Sequence, residues 1–199
     1  LTGVPTGTAF IQVDSRGENT IVVVQGANAH VALPVGDVEP QVVVTQNEIP
    51  PAAQQEAVAL AARTGARLVI NAAPAPESPP PWYGAADPLV VNEHEAAQLA
   101  TSDEAGAGLL RQLRERTGAR SVVMTLGERG ALVDDGTEVH AIPPVVVEQV
   151  VDATGAGDTF VGVLAARLAR GNDVVAAASA ANRCAAKAVT WSGARPPAD

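Results

Sequence analysis

Short runs of β-branched residues alternate along this chain with longer stretches in which small apolar side chains recur every three to four positions. The first pair of runs, Gly7–Val13 and Asn19–Val24, is separated by the polar stretch Asp14-Ser15-Arg16-Gly17-Glu18 and predicts a β-hairpin. Ala9, Ile11 and Val13 alternate there with Thr8, Phe10 and Gln12, so one face is apolar and must pack on something. From residue 41 the period changes repeatedly. Strands are predicted at 41–45, 67–71, 88–91 and 121–125, with two more flanking Gly136. Between them Pro51 opens a helix that Gly65 closes, with Ala57, Leu60 and Ala61 on one face. Further helices are predicted over 93–100, 103–117, 155–170 and 174–189. The third spans Asp103 to Thr117, with acids first, Arg114 and Arg116 last and Gly118 as its cap. Strands alternating with helices of this length predict a mainly parallel sheet covered on both faces.

Composition narrows the chemistry. Aromatic residues make up 3%, so the core must be built from Val, Leu, Ile and Ala. The formal net charge of −9 argues against broad binding to nucleic acid or an anionic membrane, although backbone N–H groups could still hold a phosphate. Cys184 is the only cysteine, which excludes an intrachain disulfide and points to a reducing, cytoplasmic setting. His30, His94 and His140 are scattered without metal-ligand spacing, and no apolar run reaches membrane-spanning length. The chain opens on Leu1 and enters strand-like sequence almost at once, as the middle of a protein would.

One stretch carries chemistry: Asp152-Ala153-Thr154-Gly155-Ala156-Gly157-Asp158-Thr159-Phe160. Two glycines among small residues precede an apolar helical run, so unpaired N–H groups of the first turn and the helix dipole form an anion hole. Asp158 stands beside it, able to take a proton from a hydroxyl that attacks a phosphorus held there. A P-loop is excluded, because that motif needs Lys and then Ser or Thr after the second glycine, and the only lysine is Lys187. By itself, a glycine-rich turn with a helix-terminus acid would read as structural.

The nine residues resemble the C-terminal signature of the ribokinase-like (PfkB) carbohydrate kinases. Other matches follow in collinear order. Gln25-Gly26-Ala27-Asn28-Ala29 looks like the segment after the family's lid strands. Asn71-Ala72-Ala73-Pro74-Ala75 resembles its N-P-A-P-A loop, with Ala72 in place of proline. Asn92-Glu93-His94-Glu95 fits its N-x-x-E motif, and Thr125–Gly130 its nucleotide-side T-L-G-x-x-G.

The resemblance implies a three-layer α/β/α sandwich with a mainly parallel sheet and a small β-lid. Residues 7–25 would be the remaining lid strands and 26–199 the core. It implies Asp158 as general base, and the N–H groups of Gly155, Ala156 and Gly157 as the anion hole. Asn92, Thr125, Leu126, Gly127, Glu128, Arg129, Gly130, Gly157, Asp158 and Asn182 would meet ATP. Glu48 and Asp158 would contact the sugar, and Asn92 and Glu95 would serve Mg²⁺, partly through water. Asp152, Thr154, Ala188, Trp191, Gly193 and Pro197 fall where the family holds an activating K⁺. Pro197 lacks the hydroxyl of that last position. The segment that holds the family's N-x-D and glycine-pair sugar motifs has no counterpart after Leu1. The implied activity is ATP-dependent phosphorylation of D-ribose at its primary hydroxyl, by a homodimer joined through the lid strands. The alternatives are a truncated, non-catalytic nucleotide-binding or interaction module, and a kinase of the same family with another sugar or nucleoside.

Overall fold

Consecutive side chains are buried along three central strands, β4 (Arg67–Asn71), β5 (Leu89–Asn92) and β6 (Val122–Thr125). In the computed structural model, which describes residues 3–13, 19–33 and 36–195, every second side chain of these strands joins one of two cores. Leu68, Ile70, Leu89, Val91, Val122 and Met124 face the first. Val69, Val90 and Val123 face the second. A strand buried on both faces must be covered on both, and helices do the covering. Helices α1 (Pro51–Thr64), α2 (Glu93–Ala100) and α3 (Gly106–Thr117) lie on the first face. Helices α4 (Ala156–Leu168) and α5 (Val174–Ala188) lie on the second. The result is the expected three-layer sandwich. Leu99, Leu110, Leu113 and Leu164 are fully buried, each contributing about 1.5–3 kcal/mol.

The main sheet has six strands in sequential order, from β3 (Val42–Gln46) through β4, β5 and β6 to β7 (Ala131–Asp134) and β8 (Val139–Ile142). The β3–β6 pairings are parallel, whereas β6–β7 and β7–β8 are antiparallel. The last two pairings depart from a uniformly parallel sheet because the links 126–130 and 135–138 are too short for a crossover. Gly65 and Gly118 close α1 and α3 in the left-handed region, with φ of 70° and 71°. Helix α3 starts at Gly106 rather than Asp103. Gly106 has φ 60°, so helical geometry cannot run back through it to Asp103 and Glu104.

The hairpin forms a separate two-stranded sheet of β1 (Thr8–Val13) and β2 (Asn19–Val24), pairing Phe10 with Val22 and Ala9 with Val23. Its expected turn at 14–18 lies outside the described residues, as do the side chains of Ile11 and Val13. Phe10, Val22, Val23 and Val24 are each more than half exposed. At its base Gly26 meets Gly7 so closely that a Cβ on Gly26 would lie 2.6 Å from the Pro5 carbonyl oxygen. Among the described residues no helix is long and apolar enough to cross a membrane.

Candidate active site

The segments singled out in the sequence gather at the C-terminal ends of the parallel strands, where open α/β sheets place their ligand crevice. Glu48 lies just beyond β3, the 71–75 loop leaves β4, Asn92 ends β5, and Thr125–Gly130 leaves β6.

The turn into α4 has the geometry of an anion hole. Gly155 has φ 77°, and a Cβ there would lie 2.9 Å from Ala194 Cα, so neither the conformation nor the space admits another residue. The Ala156 N–H turns back to the Ala153 carbonyl at 3.2 Å, and Thr159 makes the first intrahelical bond, to Gly155 at 2.9 Å. The N–H groups of Gly155, Gly157 and Asp158 therefore have no acceptor among the described residues, and at the helix N-terminus they favour a bound anion. The Asp158 side chain is exposed and makes no hydrogen bond or ion pair with the described residues.

Asp152 fastens this turn to the end of the chain. One carboxylate oxygen accepts the Thr154 N–H and the other the Gly193 N–H, both at 2.9 Å. The Thr154 side chain foremost, then the N–H groups of Gly193 and Thr154, hold the Asp152 carboxyl below its ordinary range. The Val189 carbonyl accepts from Val151 at 2.8 Å and Asp152 at 3.2 Å, which brings the end of α5 and its buried Ala188 to the same place. Asp152, Thr154, Ala188 and Gly193 are thus drawn together, with Trp191 two residues from Gly193, and Pro197 lies outside the described residues.

Asn92 and Glu95 form a capping box at the start of α2. Asn92 Oδ1 accepts the Glu95 N–H and Glu95 Oε2 accepts the Asn92 N–H, each at 2.8 Å. Burial pushes the Glu95 carboxyl above its ordinary value, against the opposing pull of the Asn92 N–H and His94. Glu95 Oε1 has no partner among the described residues. One carboxylate oxygen and an amide suit Mg²⁺, which keeps most of its waters and asks little of the protein. The neighbouring Glu93 pairs with Arg129.

Between the β6 loop, α4 and α5 lies a cavity of about 430 Å³. Thr125, Gly127, Glu128, Gly130, Gly157 and Asn182 line it, whereas Leu126, Arg129, Asn92 and Asp158 do not. Leu126 packs against the first core instead. Gly130, with φ 91°, passes so close to the Ile142 carbonyl that no side chain fits. Asn182 Nδ2 is tied to the Pro143 carbonyl at 2.9 Å, which fixes its amide. Sequence reasoning missed the apolar walls: Val145, Val147, Val150, Phe160 and Val189. The exposed valine run after Pro144 was the available signal, since it lies in neither a strand nor a helix.

On the far side of the crevice Glu48 is exposed, and its described side-chain partner is Gln46, at 3.3 Å. The preceding Asn47 donates through Nδ2 to the Tyr83 hydroxyl at 2.7 Å and to the Pro74 carbonyl at 2.8 Å. Neither Asn47 nor Tyr83 was singled out in the sequence.

The sequence matches the description pfkB family carbohydrate kinase over residues 1–199. It is 38% identical to a ribokinase of Mus musculus over 177 residues, covering 82% of this chain and 54% of the relative. A deoxyribokinase of Salmonella typhi is 31% identical over 203 residues, 94% of this chain and 64% of that one. The crystal structure of a ribokinase from Thermotoga maritima superposes with a TM-score of 0.83 at 30% identity, covering 96% of this chain and 65% of that one. The chain thus spans about half the length of the mouse protein it matches.

Proposed function

Because the chain belongs to the pfkB family of carbohydrate kinases, we propose that the protein carrying it transfers the γ-phosphoryl group of ATP to the primary hydroxyl of a pentose, D-ribose giving D-ribose 5-phosphate. The observation that carries this reading is Asp158, a carboxylate without a partner among the described residues in the first turn of α4, beside the N–H groups of Gly157 and its own backbone.

Asp158 takes the proton from the sugar hydroxyl as its oxygen attacks the γ-phosphorus, and ADP leaves with the bridging oxygen. The N–H groups at the α4 N-terminus, Gly155 included, stabilise charge on the transferred group. The cavity between the β6 loop and α5 receives the base and ribose of ATP. Asn92 and Glu95 would hold Mg²⁺ through water, which supplies positive charge to the phosphates when bound. Asp152, Thr154, Ala188, Trp191 and Gly193 would hold K⁺ beside the turn. Glu48 binds sugar hydroxyls. Residues 7–25 act as a lid over the sugar, and the exposed Phe10 and Val22–Val24 support pairing of two lids in a homodimer.

A second sugar has a specific ground, the similarity to a deoxyribokinase. The test is sugar-dependent ADP formation by the intact protein with ribose, deoxyribose and adenosine, with the phosphorylated carbon identified by NMR. Ribose 5-phosphate as the preferred product supports the reading. ADP formation with none of the three would overturn it.

A further inference from the structure

Tyr83 is among the largest side chains in the molecule with no exposed surface, and its hydroxyl is the one polar atom that ring carries into the core. That oxygen accepts the Asn47 Nδ2 proton at 2.7 Å. The same nitrogen donates to the Pro74 carbonyl at 2.8 Å, and the Asn47 N–H donates to the Ala73 carbonyl at 3.1 Å. One residue thereby joins the end of β3 to the loop leaving β4 and to the 3₁₀ turn Pro81–Ala85. The next residue is Glu48. Its exposed side chain has Gln46 as its partner, so the direction in which it leaves the backbone is set by its neighbours.

We propose that Tyr83 is a positioning residue for sugar recognition, its hydroxyl holding Asn47 so that Glu48 is presented to the sugar in a fixed place. This inference rests on the reading of the chain as a sugar kinase and of Glu48 as a sugar contact. Three features favour it over a role in packing alone. The ring already fills its place in the first core without the hydroxyl. The hydroxyl spends its accepting capacity on a residue of the crevice rather than on the backbone of its own turn. The phenol also feels the carboxylate of Glu95: burial chiefly raises its pKa, the Asn47 bond lowers it, and Glu95 raises it again. A buried group with a satisfied hydrogen bond fixes geometry because leaving it unpaired costs about 1–3 kcal/mol.

The test compares wild type, Tyr83→Phe, Asn47→Ala and the double variant in the intact protein, by steady-state kinetics and thermal melting. Each single variant should raise KM for the sugar about tenfold, with kcat and KM for ATP changed less than about twofold. The double variant should be no worse than Asn47→Ala, since both changes break one link. Unchanged sugar KM in an active Tyr83→Phe protein, whether or not it melts earlier, would reduce Tyr83 to a core side chain and end the proposal. Equal losses for ATP and sugar would end it too. A wild type that turns over no sugar would overturn the kinase reading and this inference with it.

Discussion

Glu95 uses one carboxylate oxygen to close the capping box on Asn92 and keeps the other free of partners among the described residues. Its raised pKa has a definite sign in the stability. The folded chain holds this proton more tightly than the unfolded chain, so stability falls as pH rises from the ordinary glutamate value through the raised one. Replacing Glu95 by Gln keeps the cap, because a glutamine at this position bonds the same N–H. It also removes the buried charge. Glu95→Gln should therefore melt no lower than wild type at neutral pH, while its Mg²⁺ requirement rises about tenfold, the usual penalty for altering a residue that orders a metal site. A melting loss with unchanged Mg²⁺ dependence would leave the residue as a cap alone. Asp152 has the opposite sign. Its lowered pKa adds stability above the ordinary carboxylate range that is lost as pH falls.

At the scale of elements, the start of α4 depends on Gly155, whose positive φ and contact with Ala194 leave no room for a Cβ. Gly155→Ala should cost activity more than stability. It displaces the N–H groups of the anion hole while the buried face of α4, with Phe160 and Leu164, stays intact. Assays should read a fall in kcat of about 10²–10³, the scale for losing an oxyanion-type donor. Normal turnover in this variant would show that the turn adjusts freely. Elements of this kind were legible in the sequence where a local signal set them. Gly65 and Gly118 marked helix ends, and the glycine pair marked α4. The antiparallel β7 and β8 were not, because link length rather than strand composition decides direction. Nor was the start of α3, which hinges on a glycine conformation. Of the cavity's lining residues, Thr125, Gly127, Glu128 and Gly130 could be read from motif. The Asn47–Tyr83 bond spans 36 residues and leaves no local trace.

For the whole molecule, the three layers bring the segment around Gly193 against the turn into α4. The Asp152 bond to Gly193 spans 41 residues. A cation held by the carbonyls of this segment would order the turn from behind. Potassium should raise kcat relative to tetramethylammonium at equal ionic strength, and Asp152→Ala should abolish that difference. Equal rates in the two salts would remove the cation from the account.

Phosphoryl transfer as proposed turns on one carboxylate, that of Asp158. In the intact protein, Asp158→Asn should be compared with wild type in pentose-dependent ADP formation and in nucleotide binding by calorimetry. Loss of a general base predicts a fall in kcat of about 10²–10⁴, with ATP affinity nearly unchanged, since the cavity lining does not include Asp158. A kcat close to wild type would contradict the account, because the proton of the sugar hydroxyl would then leave by another group.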